Sequence, residues 1–393
     1  MSEPARAAVY LDHAAATPLR PEVAEAMAEA AARGYANPSS PHAAGRLAKT
    51  ILEESRERIL ALAGGRGSGQ QRDRLVFTSG ATEANRLGLL GSAGGVAGWV
   101  GTSARDHPSL RRAAADLETR GWEGRDIPLT AVGGLNAAAI GPLGTASGGR
   151  PSLLAVTTVC GQTGILEDQE AIARLVRDDS RLVVHADATQ EAAWQILQFG
   201  QTPFATLAFA PHKFGGPRGI GGLLIRSGTV LRPLTPGPQE LGLRGGSEAV
   251  SLAVGFARSL EVAVAEQAAA AARVARLRDR FERRLLGAAR DAGLAAAVIG
   301  AGCPRAPHIA AVGIRGVDRQ ALVMAADVAG LCLATGTACA SGASEPPAVL
   351  RALGIDPALG QGVIRASFGV TTTENDVDHA IASLTAIFSR FRN

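Results

Sequence analysis

Lys213 is one of only two lysines in a chain of 393 residues that carries 40 Lys and Arg in all. Arginine can replace a solvated lysine freely, but its guanidinium keeps its proton to a pKa above about 12, whereas a buried ε-amine can lose its proton and attack a carbonyl to form a Schiff base. The position of Lys213 suits that chemistry, at a strand exit between the apolar run 205–210 and the glycine-rich stretch 214–222 of ATLAFAPHKFGGPRGIGGLLIR. Its plain structural alternative is a core-edge lysine reaching out to water. Lys49, the other lysine, falls in an amphipathic helix beside Arg46 and Glu53 and reads as a surface residue.

Other residues with chemical capacity also follow predicted strands. Phe77 to Glu83, FTSGATE, runs from strand to helix through a glycine, and such a helix start can hold phosphate on its unpaired N–H groups; the alternative is an ordinary Ser/Thr cap. His107 could stack on a planar cofactor and shuttle a proton, or be a satisfied loop histidine. Asp187 ends the apolar run 182–186, where a carboxylate needs a cationic partner such as a pyridinium N–H, or caps the next helix; Gln190 follows three residues on. His212 could donate to a phosphate. Cys339, in the small-residue loop ATGTACASGASEPP, is a better reactive thiol than Cys332 inside a strand. Arg365 could grip a carboxylate with both arms, a weak signal by itself in so arginine-rich a chain.

The elements that must position these residues alternate. Strands are predicted at 9–12, 74–78, 95–102, 153–159, 181–187, 205–210 and 219–226, and helices at 22–32, 43–63, from about 81, at 108–119 and at 167–177. Short apolar strands separated by helices predict a mostly parallel sheet buried on both faces, with ligands outside the carboxyl ends of the strands. After Ser247 the texture changes to a long Ala/Arg/Glu helix, 248–292, then strands at 308–314, 331–335 and 363–368 among helices at 318–329, 346–353 and 374–391. That half reads as a smaller α+β domain on which the N-terminal segment packs.

Composition bounds the answer. An apolar fraction of 46% with 4% aromatic residues fits a soluble α/β protein. No apolar run reaches the roughly 18 residues of a membrane span, and the N-terminus lacks a signal-peptide core, so a cytoplasmic protein is expected. The net charge of +4 is spread among both signs and does not point to nucleic acid. None of the four cysteines forms a CxxC pair, so neither a zinc site nor a disulfide framework is indicated.

Taken together, the motifs YLDHAAATP, YANPSSPHAAG, FTSGATEANRL, HADATQ, PHKFGGPRGIG, ELGLRGGSE, TGTACASG and VIRASFG occur in order over nearly the whole chain. The chain thereby resembles the cysteine desulfurases, a branch of the class V aminotransferase group within the fold-type I enzymes that use pyridoxal 5'-phosphate (PLP). The resemblance implies an α/β fold: a large PLP-binding domain at 17–255, with helices on both faces of its sheet, and a small α+β domain made of 1–16 with 256–393. It implies that Lys213 carries PLP as an imine, that Asp187 pairs with the pyridine nitrogen, that His107 stacks on the ring and that Gln190 reaches the phenolic oxygen. Ala81, Thr82 and His212 would bind the phosphate, with Ser247 arriving from the other subunit of a homodimer. Asn37 and Arg365 would hold the carboxylate of L-cysteine, and Cys339 would take its sulfur as a persulfide for an acceptor protein.

The chain departs from the family pattern at four places. Cys160-Gly161-Gln162-Thr163-Gly164 replaces an Asn-Asn-Glu-x-Gly run, leaving Gln162 as the candidate for the missing amide contact to the cofactor. Ala210 stands where a phosphate-binding serine is usual, Ser247 replaces a threonine, and His13 replaces a tyrosine. Two other readings fit the same motifs: another class V PLP reaction, such as selenocysteine lysis or transamination, and a weakly active relative serving as a platform for a sulfur-carrier protein.

Overall fold

The computed structural model describes residues 8–67, 69, 71–140, 150–336 and 346–389. In order, the first part of the chain contains β1 (Val9–Tyr10), α1 (Pro21–Arg33), α2 (Ala43–Leu62), β2 (Arg74–Thr78), α3 (Ala81–Ser92), β3 (Trp99–Thr102), α4 (Pro108–Glu118), β4 (Glu123–Asp126), β5 (Ser152–Thr157), α5 (Gln169–Asp178), β6 (Leu182–Asp187), β7 (Thr206–Phe209) and β8 (Gly221–Ile225). Seven of these strands form one sheet in the order β2-β8-β7-β6-β5-β3-β4. All neighbours from β7 to β4 are parallel, and β8 runs antiparallel to both β7 and β2.

Successive side chains of a strand point to opposite faces, and here both faces are apolar. Leu154, Val156, Leu207, Phe209 and Leu224 pack on the side that also holds Phe256 and Leu260. Leu153 and Ala155 pack with Leu110 of α4, and Ala208, Leu223 and Ile225 pack with Ala84 and Leu87 of α3. The near-continuous apolar runs of β5, β7 and β8 are therefore the signature of a sheet covered by helices on both sides.

The second part opens with α6 (Val250–Asp291), followed by β9 (Ala296–Val298), β10 (Ile309–Ile314), α7 (Arg319–Val328), β11 (Leu331–Cys332), α8 (Ala348–Ala352), α9 (Pro357–Gly360), β12 (Ile364–Ser367) and α10 (Glu374–Phe388). β12, β10 and β9 form an antiparallel three-stranded sheet. β1 pairs in parallel with β11, Tyr10 opposite Cys332, so the N-terminal segment joins the C-terminal part.

Two strands were not legible in the sequence. β4, EGRD, is an edge strand with mostly exposed polar side chains and no apolar pattern, and β9, AAV, is three residues long and blends in composition with the alanine-rich helix before it, so neither stands out as a strand. The strand expected at 331–335 is only two residues long.

One buried ion pair steadies the loop ahead of α4. Arg105 meets Glu167 at 2.7 Å with both side chains fully out of solvent, and also donates to Gly133 O and Ile165 O. Removing either partner would strand a charge in the interior.

Candidate active site

The strand ends of the large sheet converge. Asp187 closes β6, Lys213 lies in a single turn of 3-10 helix directly after β7, His107 is the N-cap of α4 beyond β3, and Ala81 and Thr82 open α3 beyond β2. His107 is near enough to Asp187 and Lys213 to feel both: burial pushes its imidazole below the usual histidine range, the Lys213 and Arg112 charges push the same way, and Asp187 partly offsets them. His212 is driven down to about 4, chiefly by burial and then by Lys213 and Arg218. Both rings are therefore neutral near pH 7.

Asp187 is held by two donors, Asn85 Nδ2 at 2.8 Å on one oxygen and the Thr189 N–H at 3.0 Å on the other. A carboxylate offers about four acceptor sites, so room for a further donor remains. Asn85 also donates to Ser109 Oγ at 2.9 Å, and Ser109 Oγ lies 2.7 Å from His107 Nδ1. Nδ1 also accepts from the Ser109 N–H at 3.2 Å, so the serine hydroxyl donates to Nδ1 and the proton of neutral His107 sits on Nε2. His185 completes the network from inside β6, with Nε2 3.0 Å from Asn85 Oδ1 and Nδ1 2.8 Å from Thr206 Oγ1. Sequence reasoning missed Asn85, Ser109 and His185. The available signals were an asparagine on the apolar face of α3 and a histidine inside an apolar strand.

A second wall comes from the N-terminal segment and the small sheet. Lys213 Nζ donates to Ala14 O at 2.7 Å and Ala15 O at 2.9 Å, and Gln190 Nε2 donates to the same Ala14 O at 2.8 Å. Arg365, buried in β12, donates to Asp12 Oδ1 at 2.7 Å and Gly161 O at 2.8 Å. Arg365 Nε and the neighbouring Gln162 Oε1 are buried without a partner among the described residues. His13 is also buried, and burial brings its ring down to about 4.

Two expected contributors lie on exposed turns. Asn37 accepts from the Ser39 N–H in the turn before α2, and among the described residues it makes no hydrogen bond to those above. Ser247 is exposed in the loop ahead of α6. That loop is pinned to β2: both arms of Arg56 reach Glu240, at 2.7 and 2.9 Å, and Glu240 also accepts from the Phe77 N–H. The anchor holds Glu240 and Leu241 at positive φ, 47° and 60°, a conformation side-chain-bearing residues adopt only when their surroundings impose it. Cys339 lies outside the described residues. Lys49 is exposed on α2, as expected.

This architecture has relatives. A family model described as Aminotransferase class-V matches residues 9–380, and the chain belongs to that family. Within it, the chain is similar to proteins named as cysteine desulfurases. An IscS-like cysteine desulfurase from Mycobacterium tuberculosis is 34% identical, covering 98% of this chain and 97% of that one. Cysteine desulfurase IscS from Dictyoglomus turgidum is 30% identical over 98% and 95% of the respective chains. A solved structure named as a NifS-like protein superposes with a TM-score of 0.85 at 26% identity, covering 98% of this chain and 100% of that one. The fold is that of the fold-type I PLP-dependent transferases.

Proposed function

We propose that this protein is a PLP-dependent cysteine desulfurase that converts L-cysteine to L-alanine and passes the sulfur to Cys339 as a persulfide for an acceptor protein. One observation carries the reading: an amine, a carboxylate and a neutral imidazole, from Lys213, Asp187 and His107, converge at the carboxyl ends of three strands, close enough for the charges of Lys213 and Asp187 to act on the His107 ring.

The donor set suits PLP. Lys213 offers the amine for its aldehyde, Asp187 an acceptor for its ring nitrogen and His107 a ring face. The N–H groups of Ala81 and Thr82, with no acceptor among the described residues, open a twelve-residue helix toward a phosphate. Gln190, Gln162 and His212 supply further contacts in this reading, and Ser247 reaches the phosphate of the other subunit in a cytoplasmic homodimer. When bound, PLP supplies the electron sink that lets the substrate Cα–H bond and then the Cβ–S bond weaken. The large sheet with its helices forms the cofactor-binding domain, and the segments around β10 and β12 form a smaller domain that carries the sulfur-accepting loop.

The chain's own residues do the rest. Asp187 keeps a proton on the ring nitrogen. Lys213 would hold the cofactor through its aldehyde and, with its amine free, would take the Cα proton and later return one. Arg365 and Asn37 hold the substrate carboxylate, with the unpartnered Arg365 Nε as one donor for it. The Cys339 thiolate attacks the substrate sulfur, so an S–S bond forms as the Cβ–S bond breaks. The bonding pair stays with carbon, which takes up a proton and ends as the methyl group of alanine. No outside oxidant or reductant is consumed until the persulfide is discharged.

The experiment is to incubate the purified protein with L-cysteine and dithiothreitol and to assay alanine and sulfide. Wild type should release both in equal amounts, and Lys213→Ala neither. Cys339→Ala should lose nearly all turnover; alanine formed at the wild-type rate by that variant would remove Cys339 from the mechanism.

A further inference from the structure

His308, buried just before β10, has no part in the roles above. Its ring stacks on Trp194, with centroids 5.0 Å apart and planes inclined by 21°. Its Nε2 lies 3.0 Å from Gln190 Oε1, and Gln190 Nε2 donates to Ala14 O, the carbonyl that also accepts from Lys213 Nζ. The contacts form one line to the lysine: Trp194, His308, Gln190, Ala14, Lys213.

The proton positions along this line are forced. Ala14 O can only accept, so the Gln190 amide must present its nitrogen there. Gln190 Oε1 then faces His308 and can only accept, so the hydrogen of neutral His308 must sit on Nε2. Burial, together with the positive Arg365 and Lys213 nearby, holds the ring neutral. The result leaves Nδ1 as a lone pair, buried and without a partner among the described residues. An apolar residue at 308 would leave Gln190 Oε1 without its donor. Turning the amide over would set Oε1 against Ala14 O, acceptor against acceptor, so neither orientation would be satisfied.

We propose that His308 is a positioning residue: it locks the Gln190 amide so that one N–H braces the Ala14 carbonyl used by Lys213 and the other is kept for the phenolic oxygen of the cofactor. The proposal rests on the cofactor assignment made above. A donor at that oxygen stabilises its anionic form, which lowers the pH at which the bound cofactor's visible band titrates. Without His308 the donor is no longer held, and the midpoint rises.

The test is a pH titration of the visible band in PLP-loaded protein, with thermal melting run alongside. His308→Phe keeps a ring against Trp194 but removes the donor, and its midpoint should rise by roughly half a unit to one unit. His308→Gln restores an N–H and should return the midpoint toward wild type, a rescue that lost packing alone would not give. Gln190→Leu should shift the midpoint likewise, and combining it with His308→Phe should add nothing further. An unchanged midpoint in His308→Phe, or fully additive shifts, overturns the proposal. A second measurement needs no variant: with 15N-labelled histidine, His308 must show the Nε2–H tautomer, and finding Nδ1–H overturns the proposal even if His308→Phe does not fold. Absence of a Lys213-dependent band from the wild type would overturn the cofactor assignment and this inference with it, whereas an unchanged midpoint in a yellow His308→Phe protein overturns the inference alone.

Discussion

Asn85 Nδ2 lies 2.8 Å from Asp187 Oδ2, and the same amide nitrogen lies 2.9 Å from Ser109 Oγ. One fully buried side chain therefore orients both the carboxylate at the end of β6 and, through Ser109, the imidazole at the start of α4. Its oxygen is taken by His185, so every polar atom of the amide is engaged. Rigid placement of this kind limits the reorganisation a site must undergo when its ligand binds.

Replacing Asn85 by leucine should therefore cost more than one hydrogen bond. Asp187 Oδ2 and His185 Nε2 would both be left buried and short of a partner, a loss of about 2–4 kcal/mol in total. Urea unfolding of the cofactor-free variant measures the stability term. PLP should also leave the variant faster, and retention equal to wild type would show that Asp187 needs no second-hand support.

A pH dependence follows from His185, whose ring burial brings down to about 4 from 6.5, with Asp187 opposing. As pH falls below 6.5 the unfolded chain takes up a proton that the folded chain refuses until near pH 4, so this group's contribution drops across that window by about 1.4 kcal/mol per pH unit. His13 and His212, each held near 4, act in the same sense. The raised carboxyl groups of Asp106, Glu167 and Glu191 act in the opposite sense. Comparing wild type with His185→Gln isolates the one ring, since the other groups are shared. The stability advantage of wild type over the variant should shrink from pH 7 to pH 5; a constant advantage would mean that His185 titrates in the folded chain as it does in the unfolded one.

Arg365→Lys keeps the charge in β12 but loses the planar fork that spans Asp12 Oδ1 and Gly161 O. In steady-state assays with L-cysteine, KM should rise by about 10- to 100-fold, with a smaller fall in kcat. A variant that lost kcat at an unaltered KM would take Arg365 out of substrate binding.

Ala210→Ser adds a hydroxyl at a fully buried position between β7 and the turn of Lys213. A hydrogen bond to a charged group contributes about 1.5–3 kcal/mol, so PLP should dissociate at least about tenfold more slowly from the variant. Release into apo-enzyme acceptor, followed by absorbance, gives the rate, and faster release would show that the phosphate lies elsewhere.

Much of the candidate site was legible in the sequence, because the chemistry proposed for it limits the residue types. Only lysine can supply the amine, and it is rare in this chain, so Lys213 stood out; Asp187 and His107 followed from their places at strand ends. The apolar runs of β5, β7 and β8 likewise gave away a sheet covered on both faces. β4 was hidden because an exposed edge strand has no apolar pattern to read.

What the residues determined alone was therefore the kind of chemistry and the order of the elements, both of which depend on local composition and spacing. Which group steadies which was settled only by folding: Asn85 finds Asp187 across 102 positions, and His308 finds Gln190 across 118. Hydrogen bonds act over about 3 Å, and in a linear chain nothing marks two residues that distant as neighbours until the sheets have brought them within that reach.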